Sequence, residues 1–182
     1  MPDLRGLLIR LARAEFPFVV VGGYAAFAHG VSLVTQDMDV CCTFTEETLH
    51  KLRAALEGLH PVHRMHPDRM PLTITRGFSK GLHNLYLDTD LGPLDLLGEI
   101  KGIGSYPEVL AQSTVAIVGE IEIRLLSLDG MIAAKEAMDR DRDHEAARQL
   151  RVIREMKDEA GEGRGTTKHA KVAKGMKGRR EG

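Results

Sequence analysis

Leu4, Leu7, Leu8 and Leu11 recur at the spacing that lines one face of a helix, so residues 3 to 15 predict an amphipathic helix that Pro17 ends. Phe18 to Val21 is continuously apolar, the pattern of a strand buried on both faces. Gly22-Gly23 closes that strand, and Tyr24 to His29 predicts a short helix with Gly30 as its C-cap. From Gln36 to Cys41 the period becomes two: Asp37, Asp39 and Cys41 face one way, Met38 and Val40 the other. Thr45 is the expected N-cap of a helix through Leu59, with Glu46 and Glu47 in its first turn, where negative charge complements the helix dipole.

His60 to Pro71 holds three His and three Pro and reads as a loop. Three short strands are expected after it, Leu72 to Arg76, Asn84 to Asp88 and Pro93 to Leu97, the last two as a hairpin turning at Thr89 to Gly92. A further pair, 114 to 118 and 120 to 125, turns at Gly119, since Ile121, Ile123 and Leu125 alternate with Glu122 and Arg124. Ser127 caps an expected helix from Leu128 to about Met138, and Asp141 to Met156 forms the last one. Beyond that point the apolar pattern stops. Residues 161 to 182 contain six Gly and no aromatic residue, too little apolar surface to offset the entropy of ordering them, so a disordered tail is expected.

With 182 residues and 43% apolar side chains the chain suits one domain, read as 1–156, followed by the tail at 157–182. The net charge is only −1, but the tail holds five Lys and three Arg against four acids, so it is +4 and the body is acidic. A basic tail suits a polyanionic partner, or is a solvated appendage with none. Cys41 and Cys42 are the only cysteines, and adjacent ones make a strained disulfide, which points to a reducing cytoplasm. The apolar run Phe16 to Val21 is too short to span a membrane, and the N-terminus lacks the organisation of an export signal.

Strand periodicity puts Asp37 and Asp39 on one face with Cα atoms roughly 6.6 Å apart, twice the strand rise. Two such carboxylates raise each other's pKa, and a hard divalent cation removes the repulsion; magnesium, which also takes substrate phosphates, fits best. The competing reading is an ordinary surface turn. Upstream, Val20-Val21-Gly22-Gly23-Tyr24 empties an apolar strand into two glycines at a helix N-terminus, which is a phosphate cradle or simply a tight turn. Neither a Walker loop nor a dinucleotide fingerprint is present. For a third carboxylate, Asp95 inside the apolar strand Gly92-Pro93-Leu94-Asp95-Leu96-Leu97 is preferred over Asp88 and Asp90, which look like the shoulder of a turn. His60, His63 and His66 read as loop residues, and His29 as a packing or supporting residue beside the glycines. No Ser or Cys nucleophile has an evident base partner.

Together these stretches resemble the minimal nucleotidyltransferases of the polymerase-beta type, particularly the abortive-infection and toxin-antitoxin group. The likeness runs through Phe18 to Gly30, Thr35-Gln36-Asp37-Met38-Asp39, Gly92 to Leu97, Leu126 to Lys135 and Arg142-Asp143, most of residues 16 to 153. It implies an α+β fold with a mixed sheet flanked by helices, a short C-terminal helical segment and a disordered tail. It further implies Gly22 and Gly23 at the triphosphate of an NTP such as ATP, Asp37, Asp39 and Asp95 as ligands of magnesium or manganese, and Lys135 as a phosphate or transition-state contact. Asp143 either orients Lys135 at the nucleotide site or N-caps the last helix. Leu33 departs from the pattern, standing where many relatives carry a basic residue. The implied activity is transfer of an NMP to an acceptor hydroxyl on RNA, tRNA or protein, in a toxin-antitoxin component with a cognate protein partner. The alternative is a non-catalytic nucleotide-binding or antitoxin-like protein of the same fold.

Overall fold

A computed structural model describes residues 1–32, 35–138 and 140–169; Leu33 and the end of the tail, 170–182, where disorder was expected, lie outside them. The leucine stripe forms helix α1, Leu4–Arg13, with Leu4, Leu7, Leu8 and Leu11 buried. Asp3 caps it by accepting a hydrogen bond from the Gly6 amide at 2.8 Å. Strand β1, Phe18–Val20, is buried throughout, as its unbroken apolar run requires. Helix α2, Gly22–His29, begins at the first glycine rather than at Tyr24 and ends on Gly30 in the left-handed conformation, φ 104°. Strand β2, Met38–Cys42, leads to α3, Glu46–Ala55, which Thr45 and Thr48 hold in a reciprocal capping box.

Strands β3, Val62–His63, β4, Asn84–Thr89, and β5, Gly92–Leu97, come next. A small two-stranded sheet, β6 at Glu99–Ile100 and β7 at Gly104–Ser105, precedes α4, Tyr106–Ala111. The hairpin β8, Ser113–Val118, and β9, Ile121–Leu126, leads into α5, Leu128–Met138, and α6, Asp141–His169. Among the described residues this is an α+β chain with a seven-stranded mixed sheet flanked by helices, in the order β3-β4-β5-β2-β1-β9-β8. β2 is antiparallel to β1 and parallel to β5, and β1 is parallel to β9.

Register explains how one sheet builds both core and site. Leu85, Leu96 and Val40 line up across β4, β5 and β2, as do Leu87, Leu94 and Met38, and all six are buried. Each contributes about 1.5 to 3 kcal/mol of burial. The intervening row, Tyr86, Asp95 and Asp39, must then project from the opposite face, because side chains alternate along each strand. Helices α5 and α6 pack on one another, and α5 also meets α2.

Three expectations need correction, and one helix was not foreseen. Leu72 to Arg76 forms no strand: the sheet edge beside β4 is taken by Val62–His63, which leaves the later segment only a bridge from Pro71 to Val62. That edge strand was hidden inside a stretch read as loop because of its prolines. Helix α3 ends at Ala55 rather than Leu59, the chain turning through Gly58 with φ 73°. The last helix continues past Met156 to His169, since i to i−4 hydrogen bonding does not require the buried face whose loss marked the expected end. Helix α4 was not foreseen; its six residues are too few to display a helical period. No helix among the described residues is long and apolar enough to cross a membrane.

Candidate active site

Asp39 and Asp95 are direct register partners across the parallel β2–β5 pair, and Asp37 immediately precedes β2. One carboxylate oxygen from each of Asp37, Asp39 and Asp95 lies within 4.8 Å of the other two. Thr35 steadies the first of them, its hydroxyl approaching both Asp37 Oδ1 and the Asp37 carbonyl at 3.1 Å. Asp88 and Asp90 are elsewhere: Asp88 pairs with Arg69, and Asp90 accepts from His60 Nδ1 at 2.7 Å.

Burial pushes the Asp39 carboxyl up to about 6, and the charges of Asp37 and Asp95 push in the same direction; the Gly23 amide donating to it and the Arg64 guanidinium pull the other way. Asp95 is also raised by burial, against the opposing pull of Arg64. Such a trio is under electrostatic tension that a cation relieves. Its donor set is all carboxylate oxygen, the chemistry of hard ions such as magnesium or manganese rather than zinc or copper.

The glycines are fixed by this geometry. Gly22 has φ 61°, and a Cβ there would stand 2.0 Å from Asp39 Oδ2. Only a residue without a side chain lets β1 turn into α2 this close to the carboxylate. Val21 serves as N-cap with no side-chain hydrogen bond, its own amide donating to the Asp39 carbonyl at 2.9 Å. The positive end of α2 therefore faces the acidic trio.

A cavity of about 370 Å³ opens beside Asp39 and Gly22 and is walled by Leu97, Ile100, Met131 and Lys135. Lys135 lies on α5 and donates from Nζ to Asp143 Oδ1 at 2.9 Å. Asp143 is 4% exposed and sits inside the first turn of α6. It is thus placed to hold Lys135 rather than to N-cap the helix, a position that falls to Arg140. His29 Nε2 donates to the Leu126 carbonyl at 2.8 Å, tying α2 to the end of β9 and fixing the ring's tautomer, and burial holds its pKa below the ordinary value. A larger recess of about 590 Å³, beside α3, contains none of these residues.

His60, His63 and His66 do not converge: His60 meets Asp90, His63 lies against the Phe78 ring, and His66 sits 4.0 Å from Asp68. Cys41 and Cys42 are free and buried, and burial raises both thiols, Cys41 to about 12, so neither is a nucleophile at neutral pH. One residue beside the trio escaped sequence reasoning. Arg64 Nη2 donates to Asp95 Oδ1, and the guanidinium lies 5.9 Å from the Tyr86 ring centroid. Its partner is distant in sequence, and the pairing of β3 with β4 and of β4 with β5 brings the two together.

No family model and no curated protein matches the chain. Among solved structures it is similar to ANT(2")-Ia, solved in complex with adenylyl-2"-tobramycin, at 15% identity and a TM-score of 0.48, over 84% of this chain and 93% of that one. It is also similar to JHP933 from Helicobacter pylori, at 16% identity and a TM-score of 0.37, over 71% of this chain and 53% of that one. Both likenesses concern the trace of the chain; the chemistry stands on the carboxylates, glycines and lysine already placed.

Proposed function

We propose that the protein is a magnesium-dependent nucleotidyltransferase of the polymerase-beta type, moving an NMP from an NTP such as ATP to an acceptor hydroxyl with release of pyrophosphate. The observation that carries this reading is the convergence of Asp37, Asp39 and Asp95, of which Asp39 lines a cavity that also reaches Gly22 and Lys135. Asp37, Asp39 and Asp95 would hold the magnesium ion, or manganese in its place. Bound there, such an ion would supply charge neutralisation at the α-phosphorus and lower the pKa of the attacking hydroxyl.

The chain's own residues do the positioning. Gly22 leaves room for a phosphate oxygen, and the positive end of α2 favours its charge. Lys135, held by Asp143, places a cation where negative charge grows on the leaving pyrophosphate. The cavity lies on the Asp39 side; with the nucleotide there, the acceptor would approach past Asp95. The acceptor oxygen bonds to the α-phosphorus as the bond to the bridging oxygen breaks; the hydroxyl proton passes to the Asp95 carboxylate and then to water.

The acceptor is proposed to be RNA or tRNA, with the basic tail as a further contact. The family resemblance supports a role in a toxin-antitoxin pair with a cognate protein partner. To test the enzyme reading, the protein is incubated with each radiolabelled NTP, magnesium, total RNA and lysate protein. Label should enter one acceptor with the wild type and none with Asp95→Asn; no transfer from any NTP would count against catalysis.

A further inference from the structure

Arg64 completes a row of side chains that runs from the end of β3 to β2. Its amide donates to the Tyr86 carbonyl at 3.0 Å, which continues the register that sets Val62 against Asp88 and His63 against Leu87. Tyr86 in turn faces Asp95, and Asp95 faces Asp39. Arg64, Tyr86, Asp95 and Asp39 therefore share one face of the sheet. The guanidinium lies 5.9 Å from the Tyr86 ring centroid and donates from Nη2 to Asp95 Oδ1. The two side chains are only 26% and 13% exposed, so solvent screens this contact far less than a surface pair. The field of Arg64 also reaches Asp39, favouring the ionised form of both carboxylates. The neighbouring cation, Arg69, is 59% exposed and is spent on Asp88.

Charge arithmetic gives this placement a consequence. Asp37, Asp39 and Asp95, when ionised, carry three negative charges. Arg64 offsets one of them and a single divalent ion offsets the other two, so the site with one ion is formally neutral. A second divalent ion would then meet no net charge to attract it until a triphosphate brings its own negative oxygens. We propose that Arg64 is the resident countercharge of the trio: it holds the metal-free carboxylates together, lowers their affinity for a first divalent ion, and confines the nucleotide-free protein to one ion per chain. Arg64 is thus a positioning residue that acts through Asp95. The proposal rests on the nucleotidyltransferase reading and deepens it, making the nucleotide the condition for any further ion.

The test is calorimetric titration of the full chain with manganese at pH 7.5, without nucleotide. The wild type should take up one ion. Arg64→Gln, which keeps a donor for Asp95 but loses the charge, should bind the first ion about tenfold more tightly and admit a second. Arg64→Met, which fills the same space over Tyr86, serves as a second neutral variant. Arg64→Lys keeps the charge and should match the wild type. Arg69→Gln, which removes an equal but solvent-screened charge from the Asp88 pair, should change the affinity less than about threefold. Thermal melts check folding and give a second readout: in EDTA Arg64→Gln should melt below the wild type, and saturating manganese should raise its melting temperature by more. A role confined to fastening the edge strand or Asp95 predicts the opposite, weaker manganese binding in the neutral variants. That result, unchanged affinity in both neutral variants, or an equal gain in Arg69→Gln would overturn the proposal. Calorimetry of NTP binding to the wild type in magnesium separates the two claims. If NTP binds and manganese binding ignores Arg64, only the countercharge assignment falls, whereas absence of both manganese and NTP binding removes both readings.

Discussion

Replacing Asp39 by Asn should make the metal-free protein more stable while destroying the site. The Asp39 carboxyl is pushed from the usual carboxylate range to about 6 by burial and by Asp37 and Asp95, so its ionised form is penalised in the folded state. A displacement of about two pH units corresponds to a ceiling of about 3 kcal/mol. The sign follows from the raised folded value: the penalty is fully present above about pH 6 and disappears as pH falls toward the unfolded value near 4. Asn is close in shape, carries no charge and keeps an oxygen for the Gly23 amide. At pH 7.5 in EDTA, Asp39→Asn should therefore gain about 2 kcal/mol, or about 4 to 8 °C in melting temperature for a chain of this size. At pH 5 the gain should fall to about half, because folding must then still protonate a carboxyl that is ionised in the unfolded chain, and near pH 4 it should vanish. Added magnesium should raise the wild-type melting temperature and leave the variant's unchanged. Calorimetric or fluorescence melts at the two pH values decide the matter. A variant less stable than the wild type at pH 7.5 in EDTA, or a difference independent of pH, would refute the reasoning.

Gly22→Ala forces a side chain into left-handed backbone and against Asp39 Oδ2, so it should cost about 2 kcal/mol in denaturant unfolding and weaken NTP binding. Lys135→Ala leaves the buried Asp143 carboxylate without its lysine; because Lys135 is about a third exposed, the expected loss is about 2 kcal/mol, and Lys135→Ala with Asp143→Asn should recover part of that stability but not transfer activity. His29→Ala removes the bond to the Leu126 carbonyl and should cost about 1 kcal/mol at pH 8. Since the folded His29 pKa is lowered, its neutral-form contribution is present above the ordinary value and lost on acidification, so the variant's deficit should shrink as pH falls through 6.

The parts of this fold legible in the sequence are those whose period is imposed by burial. The leucines of α1, the unbroken apolar run of β1 and the alternation of Asp37, Met38, Asp39 and Val40 each declare a face, and each forms the expected element near its expected bounds. Asp95 was singled out over Asp88 and Asp90 because a carboxylate inside an apolar strand is costly without a partner, and the register with β2 puts it beside Asp39. The residues that escaped depend on contacts between distant segments. Arg64 lies in a proline-rich stretch, and its value to the site comes from β3 pairing with β4, which two residues of strand cannot announce. Leu72 to Arg76 alternates as a strand should, yet the edge it needed was already occupied. The position of Asp143 inside the first turn of α6, facing Lys135 across the α5–α6 junction, is likewise a tertiary fact that the dipeptide Arg142-Asp143 left open.

The central claim is that three carboxylates and a glycine turn form one metal and nucleotide site. Calorimetric titration of the wild type and of an Asp37→Ala, Asp39→Ala double variant with each NTP in magnesium tests it most directly. The wild type should bind at least one NTP with magnesium-dependent heat and the double variant should show none; equal binding by the two proteins would contradict the account.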